Sequence, residues 1–192
     1  MPSSPPPPDL TASRCLALGR RALHQLRATL ERENGLQAAS WLQEAGFAAG
    51  DDLYRAFTAW TAASCGVASP DTLDEARFGE VVSDFFQGLG WGGVTVSRLA
   101  PSVLAFDAPD WAEAQPGAEG QYPSCHVTSG MLAAFVSQLA GNPAAAMEVE
   151  CRTRGEARCR WLVGSPETLG TLYDLLSRGL GYQQALTAGG VG

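Results

Sequence analysis

The sequence predicts an α+β fold in which amino-terminal helices pack on a central antiparallel sheet and a helix-hairpin zinc site organises the carboxy-terminal half. Three observations point there. Apolar residues recur at helical spacing through most of the chain before Gly88. Two pairs of short apolar runs, residues 94–99 with 103–106 and 146–151 with 159–163, flank turn-forming residues and read as hairpins. Three of the five cysteines, Cys125, Cys151 and Cys159, gather in one stretch with candidate carboxylates between them.

Residues 1–11 begin with a proline run that can form neither helix nor central strand, and are expected to be a flexible leader. Residues 12–185 make one domain, and residues 186–192 are expected to fray. Leu16, Leu23, Leu26 and Leu30 form the apolar stripe of a first helix that turns Arg20, Arg21, Arg27 and Arg32 mostly outward, with His24 a surface or internally satisfied histidine. After Asn34-Gly35, a second helix through Trp41 and Leu42 ends at Gly46 or Gly50, and a third carries Leu53, Phe57 and Trp60. Asp71 or Thr72 caps a fourth helix, in which Phe78, Val81, Val82, Phe85 and Phe86 make the apolar side. Cys15 and Cys65 read as core residues.

Residues 88–93 satisfy GxGxxG in reversed context, because a helix precedes and a strand follows. A dinucleotide fingerprint needs the opposite order, so these glycines stop a helix and make a turn. Asp107, Asp110, Glu113 and Glu119, interspersed with proline and glycine, read as an exposed acidic loop in which Trp111 is placed to cover a ligand. A last helix starts at Ser165-Pro166-Glu167 and continues through Leu176.

Cys125 precedes an apolar-periodic helix through Met131, Phe135 and Leu139 that Thr128 or Ser129 can cap and that Gly141 ends. A helix N-terminus favours thiolate, the form a metal needs. A hairpin pairing symmetrically about Gly155 sets Cys151 opposite Cys159, close enough for both sulfurs to share a zinc. For the fourth position Glu148, Glu150 and His126 compete. Both glutamates have the wrong parity relative to Cys151 in a flat strand, and a bulge near Val149 is required to bring Glu148 round. Four protein ligands would make the ion structural.

Residues 122–165 resemble the carboxy-terminal half of the 4-vinyl reductase (4VR) domain. The pattern is a cysteine before a helix, then Glu-x-x-Cys on a strand, then a cysteine eight residues on, here Cys125, Glu148, Cys151 and Cys159. That domain is also the sensory module of phenol-responsive transcriptional activators and is distantly similar to transport-protein-particle (TRAPP) subunits. The resemblance implies a structural zinc with Glu148 as its carboxylate ligand. It also implies pairing through amino-terminal helices, for which the Leu16–Leu30 stripe is available.

With 192 residues, 45% apolar and 17% charged, the chain fits one domain of ordinary core size. A net charge of −7 argues against nucleic acid and against an anionic membrane surface. All 13 basic residues are arginines, which excludes a Schiff-base lysine and a Walker-type loop. Odd cysteine number, no signal segment and no long apolar run fit a reduced, cytoplasmic protein without membrane insertion.

The expected function is that of a non-catalytic sensor or carrier domain whose apolar pocket takes a hydrophobic or aromatic small molecule. Trp41, Phe57, Trp60, Phe78, Phe85 and Trp111 are its candidate lining, and no catalytic residue is identified. In the remaining length no DNA-binding or ATPase segment is expected, so output would pass through another protein or a homodimer. The resemblance also implies two alternatives: a tetrapyrrole-binding accessory of bacteriochlorophyll synthesis, and a dimeric assembly subunit similar to TRAPP components.

Overall fold

The amino-terminal helical periodicity forms three helices, α1 (Arg20–Asn34), α2 (Gln37–Trp60) and α3 (Glu75–Gly88), in a computed structural model that describes residues 5–10 and 15–189. Two expected helices are one. Gly46 and Gly50 lie inside α2 and do not end it, because their missing side chains are what lets another helix, α4 (His126–Ala140), cross against its backbone. The expected cap of α3 also moves: residues 70–72 form a single tight turn, and Asp74 accepts the Arg77 amide at 2.8 Å.

The first stripe is corrected as well. Leu16 lies ahead of α1 and is 92% exposed, Leu26 is half exposed, and Arg27 is the buried residue of the helix at 5% exposure. Polarity explains the inversion, since the loop beneath α1 offers carbonyl and hydroxyl acceptors rather than an apolar surface. Of the proline leader, residues 1–4 and 11 lie outside the described residues; Pro8 is buried and the Pro6 carbonyl accepts the Trp60 indole N–H at 2.7 Å.

After α3 the glycines turn the chain into β1 (Thr95–Ala100) and β2 (Val103–Ala108), with no helix following them. The later hairpin is β3 (Ala145–Glu150) and β4 (Cys159–Gly164), and the four strands form one antiparallel sheet in the order β1-β2-β4-β3. Alternation along β2 and β4 buries both faces. Phe106, Ala108, Cys159, Trp161 and Val163 meet the core shared with α2, α3 and α4, whereas Val103 and Leu162 meet Leu169, Leu172 and Ala185 of the final helices. Those are α5 (Pro166–Ser177), capped by Ser165 with Pro166 in its first turn, and α6 (Tyr182–Ala188). Part of the stretch expected to fray therefore belongs to α6, and residues 190–192 lie outside the described residues. Among the described residues no helix is long and apolar enough to cross a membrane.

The acidic loop is the largest departure. Asp110 and Glu119 are exposed as expected, but residues 111–114 are buried, Glu113 is 1% exposed, and Asp107 sits in β2 with both oxygens on the Arg160 guanidinium at 2.6 Å. Glu113 is drawn inward because it caps α4, which lacks a cap of its own.

Candidate metal centre

Four side chains from three elements converge at the start of α4. Cys125 is the residue before its first turn, Glu148 lies on β3, Cys151 follows β3, and Cys159 opens β4. All three sulfurs are buried, and one atom from each of the four side chains lies within 4.8 Å of the others. Cys125 Sγ is 3.9 Å from Cys151 Sγ and 3.8 Å from Cys159 Sγ. Tetrahedral coordination at a zinc–sulfur distance of about 2.3 Å places sulfurs about 3.8 Å apart, so the spacing already suits such an ion.

A bulge makes the convergence possible. In the β3–β4 ladder Glu148 pairs with Trp161 while Glu150 pairs with Arg160, so β3 carries one extra residue at Val149. The shift turns Glu148 to the side of Cys151 and sends Glu150 to the opposite face. There Tyr182 donates to Glu150 at 2.6 Å and Arg158 lies 3.0 Å from it. His126, half-buried as the first residue of α4, is outside the convergent set.

The Glu148 carboxylate divides its two oxygens. Oε2 accepts the Cys125 backbone N–H at 2.9 Å, while Oε1 is buried with no hydrogen-bond donor among the described residues. Such an oxygen costs free energy unless something positive meets it. The donor set, three sulfurs and one lone oxygen, fits a borderline-soft divalent cation.

Electrostatics agree. Burial raises the Cys125 thiol, and its hydrogen bonds to Cys151 and Cys159 raise it further. Cys151, which accepts those hydrogen bonds, is held well below the usual thiol range against the effect of burial. At Cys159 the contact with Cys125 pulls down, but Cys151 and burial win and the thiol is pushed up. Burial and the neighbouring Cys151 push Glu148 up too. Without a cation the cluster thus retains about one negative charge; a bound ion would release the remaining protons.

Around these four lies a layer the sequence reading missed. Glu113 Oε1 accepts the Val127 N–H at 2.9 Å, and Oε2 accepts the Thr128 N–H at 2.8 Å and its hydroxyl at 2.6 Å. The Thr128 oxygen in turn accepts the Trp111 indole N–H at 2.7 Å. Thr128 is therefore held by Glu113 and does not itself cap the helix. A capping carboxylate so far upstream of its helix leaves no local pattern; only the missing cap at Cys125 hinted at it.

Burial pushes the Glu113 carboxyl up to about 7, against its hydrogen bonds and the nearby Arg27 charge. Its ordinary value is near 4.5, so the folded protein holds this proton where the unfolded chain has released it. The contribution to stability is complete below about 4.5 and is lost as pH rises through about 7. The stability difference between wild type and Glu113→Gln should therefore fall by on the order of 3 kcal/mol across that window. Denaturant melts of both proteins at a series of pH values measure it, with the thiol titrations cancelling; a flat difference rejects the assignment.

Of the candidate pocket residues, Phe57, Trp60 and Phe85 form one ring cluster, with centroids 5.1 Å apart for Phe57–Phe85 and 5.6 Å for Trp60–Phe85. Phe78 is buried in the same core, and Trp111 joins it through Phe86 at 5.4 Å and Trp161 at 5.5 Å. Trp41 is 42% exposed on α2, away from them. Trp161, absent from the expected lining, is fully buried and its indole N–H has no acceptor among the described residues.

Solved structures share this architecture. The phenol-responsive sensory domain of the transcription activator PoxR, solved with phenol, superposes at a TM-score of 0.61 with 19% identity, covering 85% of this chain and 82% of that one. Subunit 3 of the trafficking protein particle complex from Naegleria fowleri, covalently bound to palmitic acid, gives 0.60 with 10% identity over 81% of this chain and 96% of its own. A vinyl-4-reductase family protein from Methanocaldococcus jannaschii gives 0.42 with 17% identity, covering 64% and 66%. No curated protein matches the sequence. The stretch that holds the convergent cysteines, the bulge and the buried Glu113, residues 112–165, matches the family model of the vinyl-4-reductase (4VR) domain.

Proposed function

We propose that this domain is a non-catalytic receptor for a small apolar or aromatic molecule, with a zinc ion held by Cys125, Glu148, Cys151 and Cys159 that maintains its shape. The observation that carries the reading is the fold shared with a phenol-responsive sensory domain, together with the 4VR-domain match. The buried aromatic cluster supports it, since rings and apolar side chains are what an aromatic ligand replaces on leaving water. Trp161 adds a polar handle: an unpartnered indole N–H inside that cluster suits an oxygen acceptor such as a hydroxyl. With four protein donors the zinc keeps no open position for an activated water, so its role is structural. Exposed Leu16, Leu18 and Leu26 support a homodimer that pairs through the amino-terminal segment.

The test is titration with phenol and a series of alkyl- and chloro-phenols, followed by tryptophan fluorescence and calorimetry. Saturable binding in the micromolar range, weakened at least tenfold by Trp161→Phe, is the expected result. Absence of saturable binding by any of them removes the phenol class, and native mass spectrometry that finds only empty protein would favour an assembly role instead.

A further inference from the structure

Arg27 is the one residue of α1 buried among those described, and its guanidinium is spent entirely on the loop that leads into Cys125. Nη1 donates to the Glu113 carbonyl at 3.0 Å, to the Ser124 carbonyl at 3.3 Å and to the Ser124 hydroxyl at 3.1 Å; Nη2 donates to Gln115 Oε1 at 3.2 Å. One turn earlier, the His24 imidazole meets the Ala112 carbonyl at 2.9 Å. The inner face of α1 is thus a polar fork rather than an apolar stripe.

What this fork does to Ser124 matters for the metal centre. Ser124 Oγ lies 3.7 Å from Cys151 Sγ, where either atom could be the donor. Arginine can only donate, so the Ser124 oxygen is already an acceptor on the Arg27 side, and its hydrogen is left for the sulfur. The direction of the relay is then fixed: guanidinium to hydroxyl, hydroxyl to thiolate. Arg27 and Ser124 are 5% and 7% exposed, so water competes little for these bonds. Three thiolates and a carboxylate around a divalent ion leave the site net negative, and a buried cation behind the hydroxyl offsets part of that charge.

Resting on the metal reading above, we propose that Arg27 is a positioning residue of the metal centre: through Ser124 it hydrogen-bonds the Cys151 sulfur, and it thereby couples docking of α1 to metal retention. The coupling is reciprocal. Whatever loosens α1 weakens the hold on the ion, and loss of the ion loosens α1 by the same factor. Metal content thus becomes a lever on the helix whose outward leucines are exposed.

The experiment compares full-length wild type, Arg27→Gln, Arg27→Lys and Ser124→Ala, each loaded with Zn2+ or Co2+. Competition with a chromophoric chelator should show zinc held about 10- to 100-fold more weakly in Arg27→Gln, with Arg27→Lys intermediate because it keeps the charge but not the fork. Ser124→Ala should shift the cobalt–thiolate charge-transfer band to longer wavelength, a change that general loosening of the fold does not produce. Hydrogen exchange over residues 20–34 should quicken in Arg27→Gln. Should Arg27→Gln not fold, Ser124→Ala and Arg27→Lys carry the decision. Zinc affinities within twofold of wild type in the folded variants, or an unmoved cobalt band in Ser124→Ala, overturn the proposal while leaving the metal reading intact. A wild type that takes up neither ion overturns the metal reading itself.

Discussion

Cys159→Ser is expected to abolish metal retention and cooperative folding together. Its sulfur lies 3.8 Å from that of Cys125, and it begins β4, the strand that pairs with both β2 and β3. Removing it leaves Glu148 Oε1 and the Cys151 thiolate buried without a full set of ligands to hold their counter-ion. Structural zinc contributes on the order of 10 kcal/mol to small domains, comparable with the whole stability of most folded chains. Freshly purified wild type should contain about one zinc per chain by elemental analysis. Cys159→Ser should contain none and lose its sigmoidal thermal transition. Glu148→Gln should weaken the metal strongly, whereas Glu150→Gln, whose partners are Tyr182 and Arg158, should keep it. A Cys159→Ser protein that melts within a few degrees of wild type would show that the ion is dispensable or absent.

Gly130→Ala should be the most damaging substitution away from the cysteines. A Cβ there would occupy the position of the Gln43 carbonyl oxygen and come within 2.7 Å of the Phe47 nitrogen, both backbone atoms of α2. From the other side, a Cβ on Gly46 would overlap the Val127 carbonyl, and one on Gly50 would overlap the Ala134 side chain. Backbone cannot rotate aside as a flexible side chain can. The helices must separate, and α4 carries at its start the amides that Glu113 and Glu148 satisfy. We expect a loss of about 3 kcal/mol or more, at or beyond the usual range for overpacking. Gly170→Ala is the matched control: it sits in α5 with no atom within 4 Å of the new methyl and should stabilise by roughly 0.5 to 1 kcal/mol. Urea melts of the two variants decide, and a Gly130→Ala protein within about 1 kcal/mol of wild type would mean that the crossing relaxes.

The cysteine cluster was legible because its information is local. Gly155 marks the middle of the turn and parity does the rest, down to the bulge that Glu148 requires. The aromatic face of α3 was legible for the same reason, since Phe78, Val81, Val82, Phe85 and Phe86 repeat at helical spacing and all are buried. Long-range partnerships were not. Arg27 reads as solvent-facing by charge, and Glu113 reads as loop by its proline and glycine neighbours. Each is buried only because the other end of its hydrogen bonds lies far along the chain: the 112–124 loop for Arg27, α4 for Glu113. Gly46 and Gly50 failed in the opposite sense, read as breaks when their meaning was a neighbour's backbone.

The extra residue at Val149 carries a lesson for recognising related centres elsewhere. On an undistorted strand, two donors aimed at one ion must be an even number of positions apart. An acid three places ahead of a cysteine therefore announces a kinked strand before any coordinates exist. The neighbouring acids, so alike on paper, are committed by that kink to unrelated duties: one inward beside sulfur, the other outward among arginines.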